Sequence, residues 1–194
     1  EFNKNVKVDV ALAGDLRSVL EEMLPHISKG DRSAWIGTID EMKGNVAVRD
    51  IQNLPDNGHL YAAHVINDLW RVTEGNAIIV TDVGQHQMWE AQYYKHEHPR
   101  SLITSGGLGT MGFALPAAVG AKFACPEKEV WAVVGDGGFQ MTQAELSTIA
   151  QEQLKANIAI INNGYLGMVR QWQHLFYKDT FYATEYTGNP DFVK

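Results

Sequence analysis

Val130-Trp131-Ala132-Val133-Val134-Gly135-Asp136-Gly137-Gly138 and Ile158-Ala159-Ile160-Ile161-Asn162-Asn163-Gly164-Tyr165 are the two stretches that decide the fold. Each is an apolar run of strand length that stops at a small cluster of oxygen-bearing side chains and glycine. Short apolar runs bounded by turn residues are what strands buried on both faces look like. Between them, Thr142-Gln143-Ala144-Glu145 has capping-box spacing ahead of Leu146, Ile149 and Ala150, so a helix is expected to open near Thr142. Strand, helix and strand then form a βαβ unit with both oxygen clusters at the carboxyl edge of a parallel sheet, where ligands bind.

The alternation continues outward. Leu60 to Val72 places Ala62, Val65, Ile66 and Leu69 on one helical face, Ala77 to Val80 reads as a buried strand, and Leu102 to Thr104 as a short one. Met111 to Ala124 is rich in small residues and reads as a helix that tolerates Pro116 in its first turn. A further helix starts at about Gly167. The expected fold class is therefore α/β: a parallel sheet with helices on both faces. Upstream, Val6 to Val10 alternates like a strand. Asp15 to Leu24 carries apolar residues at 16, 19, 20, 23 and 24 on one helical face, and a less regular helix covers Ala34 to Met42. Ile51 to Gly58 is polar and turn-rich. The expected organisation is the end of one domain over 1–50, a linker over 51–58 and a second domain over 59–194.

Composition narrows the classes. The chain has 194 residues, 45% of them hydrophobic, a formal net charge of -7 and a single cysteine. No basic stripe offers itself to a nucleic acid. No apolar run approaches the roughly 20 residues that span a bilayer, so no membrane association is expected. Glu1 to Asn5 lacks a signal-peptide pattern. Cys125 cannot form an internal disulfide, which fits a reducing compartment, and beside Pro126 it reads as a small core hydrophobe. His96-Glu97-His98 has no partner cluster at metal-site spacing and reads as a solvated loop.

The chemistry sits in the two opening clusters. Asp136 is a hard oxygen ligand suited to Mg²⁺, which takes oxygen donors and is commonly shared between one or two carboxylates and phosphate groups. Gly135, Gly137 and Gly138 let backbone amides approach an anion closely. Asn163 offers a neutral oxygen, and the turn after it can aim a backbone carbonyl at the same ion. Either cluster alone is an ordinary turn. The pair, at two strand ends separated by one helix, is the specific signal.

Gly135-Asp136-Gly137, a spacer and Asn162-Asn163 together resemble the motif of thiamine-diphosphate enzymes. Three further blocks narrow the resemblance: Val83-Gly84-Gln85-His86-Gln87-Met88-Trp89, Ser105-Gly106-Gly107-Leu108-Gly109-Thr110-Met111-Gly112, and Gly167-Met168-Val169-Arg170-Gln171-Trp172. From about residue 59 onward the chain resembles the catalytic subunits of the acetolactate (acetohydroxyacid) synthase family. The first fifty residues resemble the end of that family's middle, FAD-binding-like domain less specifically.

The resemblance implies thiamine diphosphate and Mg²⁺ as cofactors, with FAD in the whole enzyme. Asp136, Asn163 and the carbonyl of Tyr165 would hold the metal. Val83, Gly84, Gln85 and His86 would meet the diphosphate together with Gly135, Gly137 and Gly138, and Leu166 and Gly167 would complete that side. Gly109 and Met111 would hold the aminopyrimidine. Met141, which read alone is a core filler, would wedge between the cofactor rings, and Met168 and Trp172 would line the entry of 2-ketoacid substrates. The family's catalytic glutamate comes from an N-terminal domain of a partner chain, so no catalytic residue is expected here. The 194 residues alone are expected to be inactive. The implied reaction condenses two pyruvates, or pyruvate and 2-ketobutyrate, with loss of CO₂. Implied partners are a second catalytic subunit in a dimer or tetramer and a regulatory small subunit, in the cytoplasm or, in a plant, the plastid. Pyruvate oxidase, glyoxylate carboligase, a 2-ketoacid decarboxylase and a non-catalytic cofactor-binding module are the alternatives.

Overall fold

The computed structural model describes residues 2–43, 51 and 53–194, and the chain divides into two compact units, 1–44 and 45–194. The end of the expected first domain and Gln52 of the expected linker lie outside the described residues.

In the first unit, α1 (Leu16–Met23) starts where the Asp15 carboxylate accepts the Ser18 N–H at 3.1 Å, an N-cap that satisfies one orphan donor of the first turn. A 3₁₀ turn over Leu24–His26 follows, then α2 (Ser33–Lys43). None of the described residues of this unit is buried, and Leu16 (71% exposed) shows that the apolar face of α1 lies open. The strand expected over Val6 to Val10 is absent. A strand needs a neighbour for its backbone groups, and none is present among the described residues here. Instead the Val8 N–H donates to the Asn3 side chain at 2.9 Å within a run of turns and bends.

The second unit is the α/β domain. Its elements are α3 (Ala62–Thr73), β1 (Ile78–Thr81), α4 (Gln85–Tyr93), β2 (Leu102–Thr104), α5 (Ala114–Ala124), β3 (Val130–Gly135), α6 (Asp136–Thr142), α7 (Leu146–Gln151), β4 (Asn157–Ile161) and α8 (Gly167–Phe176). The strands form one parallel sheet in the order β2-β1-β3-β4. Alternation within the strands serves two layers. Val80, Ala132 and Val134 face Leu115 and Ala118 of α5 and Phe139 of α6, whereas Ile79 and Val133 face Ile66 and Leu69 of α3 and Tyr94. Helices therefore cover both faces, as the apolar runs imply.

The structure corrects three local readings. Thr142 does not open a helix: α6 begins at Asp136, directly after β3, and Thr142 ends it, its hydroxyl donating to the Gly112 carbonyl at 3.1 Å. Glu145 flanks α7 without a side-chain cap bond. Met141 is 59% exposed, so it is not a core filler. His96 is not a solvated loop residue: its Nε2 meets the buried Glu90 carboxylate at 2.5 Å and its Nδ1 the Ser101 hydroxyl at 2.9 Å. That pair lets Glu90, 1% exposed, exist in the interior. His98 is exposed and contacts Asn76.

Asp82, one residue beyond β1, is 1% exposed. Its Oδ1 accepts the N–H groups of Val83 at 2.9 Å and Gly112 at 3.0 Å, and its Oδ2 accepts that of Ala114 at 3.0 Å. The carboxylate thus pins the turn before α5, where Gly112 has φ +84°, to the end of β1. Asp82→Ala leaves two buried donors without partners, at roughly 1–3 kcal/mol each. A loss of about 3–5 kcal/mol is expected in chemical denaturation, against less than about 0.5 kcal/mol for Asp68→Ala, whose pair with Arg71 is exposed.

Candidate functional site

In the order β2-β1-β3-β4 the chain leaves β1 for one side of the sheet and returns to build β3 on the other. The crevice beyond the carboxyl ends of β1 and β3 is thus a topological switch point, the usual ligand site of such sheets. An open cleft lies there. It is lined by Val83 to His86 after β1, Gly135 to Gly138 after β3, Asn163 and Tyr165 to Met168 after β4, and Met111. Most residues singled out from the sequence come together here. Trp89, Ile161 and Val169 also line it; they stand in the blocks quoted above, without a role of their own. Gly109, Met141 and Trp172 do not line it; Met141 and Trp172 (54%) are exposed.

Asp136 is the first residue of α6 and is 1% exposed. Its Oδ2 accepts the Gly164 N–H at 3.0 Å and the Asn189 amide at 2.6 Å, which ties the end of β3 to the loop after β4. The Asn163 side-chain oxygen accepts the Tyr165 N–H at 3.0 Å, an Asx turn that sets the loop's course. Tyr165 makes an isolated antiparallel bridge with Glu185, and the Arg170 guanidinium lies 4.4 Å from its ring centroid and 4.0 Å from that of Phe181. Gln85 donates to Gln171 at 3.0 Å. Its side chain runs so close to Gly167 that any Cβ there would collide with it.

His86 is 6% exposed, and its Nε2 is buried without a hydrogen-bond partner. The ring fits between Gly84 and Gly135: a Cβ at either would lie 2.9 or 3.1 Å from its Cε1. Burial pushes its pKa down from 6.5 to about 4, against the attraction of Asp82 and Asp136. The imidazole is therefore neutral at pH 7, and a buried polar atom left over by the protein is a position for a ligand atom.

These donors suit a metal-bound diphosphate. Among the described residues that line the cleft there is no lysine or arginine, and His86 is uncharged. A polyphosphate placed beside the buried Asp136 therefore needs a cation with it. No group of three His, Cys, Asp or Glu occurs among the described residues. The available set, one carboxylate, one amide oxygen and one carbonyl, is hard and all-oxygen, as Mg²⁺ prefers. Asp82, Tyr186 and Asn189 were missed in the sequence. Asp82 carried a readable signal, a carboxylate just past a buried strand. Tyr186 packs against Gly137, and burial raises its pKa, with Asp136 adding to the rise. Asn189 sits in an ordinary turn-like run, Thr187-Gly188-Asn189-Pro190, and carried none.

The family model described as "Thiamine pyrophosphate enzyme, C-terminal TPP binding domain" matches residues 82–194. The chain belongs to this family of thiamine pyrophosphate enzymes and carries its C-terminal TPP-binding domain. Among curated proteins it is similar to the acetolactate synthase of Mycobacterium bovis, 45% identical over 202 residues, covering 100% of this chain and 33% of that protein. It is similar also to the acetolactate synthase large subunit of Lactococcus lactis, 44% identical over 193 residues, with 99% and 33% covered. The mitochondrial acetolactate synthase catalytic subunit of Aspergillus candidus is 44% identical over 199 residues, with 100% and 28% covered. The chain spans about a third of the length of these relatives. No helix among the described residues is long and apolar enough to cross a membrane.

Because the folded-state pKa of His86 lies below 6.5, the unfolded chain takes up this proton first as the pH falls. Stability present above pH 6.5 is lost as the pH drops toward about 4, by up to about 3 kcal/mol at 1.4 kcal/mol per unit. His86→Gln should show a correspondingly shallower fall in unfolding free energy between pH 7 and 4.5. Equal slopes for the two proteins would remove the buried neutral imidazole.

Proposed function

We propose that the chain is the diphosphate- and metal-binding part of an acetolactate synthase catalytic subunit, which condenses pyruvate with pyruvate or 2-ketobutyrate and releases CO₂. The observation that carries this is the convergence of Asp136, Asn163 and the orphaned His86 Nε2 on one switch-point cleft free of Lys and Arg. Similarity to acetolactate synthases along the whole chain supports the particular reaction. Thiamine diphosphate, when bound, supplies the thiazolium carbon on which 2-ketoacids are decarboxylated.

The protein's own work is to hold and orient. Asp136, the Asn163 side-chain oxygen and the Tyr165 carbonyl hold Mg²⁺. Gln85 and His86, with the backbone of Val83, Gly84 and Gly135 to Gly138, take the diphosphate oxygens, and Leu166 and Gly167 close that side. Gly109 and Met111 hold the aminopyrimidine. Met141, which is exposed, would pack against the cofactor rings, and Met168 and Trp172 would line the approach of the 2-ketoacid. A glutamate facing the aminopyrimidine would come from a second catalytic subunit in a dimer or tetramer. We further propose FAD in the whole enzyme, a regulatory small subunit, residues 1–50 as the end of the FAD-binding-like domain joined by a linker over 51–58, and a cytoplasmic location.

Calorimetry with thiamine diphosphate tests the site. Binding should require Mg²⁺, and Asp136→Ala should abolish the metal-dependent part; equal binding by the variant would end the metal assignment. Trp172→Leu in the full-length protein should lower the preference for 2-ketobutyrate over pyruvate as second substrate. An unchanged product ratio would favour another thiamine-diphosphate activity.

A further inference from the structure

Residues 181–192 lie across the loops that follow β3 and β4. The Leu166 N–H donates to the Thr184 carbonyl and the Tyr186 N–H to the Gly164 carbonyl, both at 2.8 Å. Phe192 packs edge-on against Phe139 of α6 with ring centroids 5.6 Å apart. Within this segment the Asn189 side chain uses both of its amide hydrogens and its oxygen. Its amide nitrogen donates to Asp136 Oδ2 at 2.6 Å and to Asn162 Oδ1 at 3.0 Å, and its oxygen accepts from Gln140 at 3.2 Å. The orientation is fixed by these partners, because a flipped amide would face its oxygen to a carboxylate and its N–H groups to another amide N–H. One side chain thus joins α6, at Asp136 and Gln140, to the loop after β4.

We infer that Asn189 is a positioning residue for the metal site, holding the Asp136 carboxylate in the rotation that presents Oδ1 to a divalent cation. Oδ2 already carries two N–H donors, from Gly164 and Asn189, so its lone pairs face protein. Coordination falls to Oδ1. Without Asn189 the carboxylate keeps only the Gly164 N–H and can turn about its Cβ–Cγ bond, so metal binding must pay for ordering it. Partners that orient a ligating carboxylate in this way typically contribute 10- to 100-fold in metal affinity. The inference rests on the reading of Asp136 as a metal ligand, and the test separates the two.

The experiment is a Mg²⁺ titration of the full-length protein at fixed thiamine diphosphate, followed by intrinsic tryptophan fluorescence. Asn189→Ala and the bulk-preserving Asn189→Leu are compared with the wild type and with Asp136→Ala. The expected result is a midpoint raised about tenfold or more in both Asn189 variants, with the wild-type plateau recovered at saturating Mg²⁺ and little change in the metal-free melting temperature. Damage to the segment alone would lower the plateau and leave the midpoint in place, which overturns the inference. Superimposable wild-type and Asn189 curves, with Asp136→Ala inert, also overturn it and leave the metal site standing. An Asp136→Ala protein that titrates like the wild type removes the metal assignment and this inference with it.

Discussion

The cleft depends on the buried carboxylate of Asp82. Parallel sheets bring the starts of helices and the ends of strands to one edge, but nothing in the ladder fixes how the intervening loops lie against each other. Here one side chain takes the N–H groups of its own loop and of the turn leading into α5. It also packs so tightly on Gly138 that no Cβ fits there. The loop after β1, the start of α6 and the turn carrying Met111 are therefore held together. A carboxylate supplied with N–H donors on both oxygens is among the stronger neutral–ionic arrangements a protein can bury, and the glycine is what makes the approach possible.

The sheet was legible because strands covered by helices are continuously apolar, although of β3 and β4 only the central β3 is buried and β4, at the sheet edge, is half-buried. Val130 to Val134 and Ile158 to Ile161 have no other good use in a globular domain, and the glycine and oxygen clusters that end them fall at the carboxyl edge by construction. The clusters of the site were legible for the same reason: Gly135 to Gly138 and Asn163 to Met168 are contiguous in sequence and remain contiguous in the cleft. What failed was local spacing without long-range information. Thr142 and Glu145 have capping-box spacing, yet α6 starts as soon as β3 ends, because Gly137 and Gly138 let it pack against Asp82 and Tyr186. The alternation of Val6 to Val10 cannot make a strand without a neighbour. Glu90 and His96 lie six residues apart across the end of α4, and their pairing depends on where the chain turns back to Ser101. Asn189 was illegible because its role is defined wholly by partners 27 to 53 residues away.

His86 shows how the site handles charge. Two carboxylates, Asp82 and Asp136, pull its pKa up, and burial overrides both. A charged imidazolium would have been the simplest partner for a diphosphate, but the enclosure formed by Gly84 and Gly135 excludes the water that would support it. Under the proposed function the fold would present a diphosphate with neutral donors and leave the positive charge to a metal. This division would make anion binding conditional on the cation.

The two buried aspartates differ in the geometry of their hydrogen bonds at equal burial. Both are 1% exposed, and both stand just beyond a strand. Asp82 accepts hydrogen bonds on both oxygens, all from backbone N–H groups, so replacing any partner would demand a rebuilt loop. Asp136 receives its donors on Oδ2, one of them from a side chain in a separate segment. A carboxylate held by backbone N–H groups on both oxygens is fixed in place, with one lone pair of Asp82 Oδ2 still open. One saturated on a single side is oriented by that side and remains a base on the other. The difference lies in how the donors are distributed over the two oxygens, and under the proposed reading it leaves Asp136 Oδ1 for a cation.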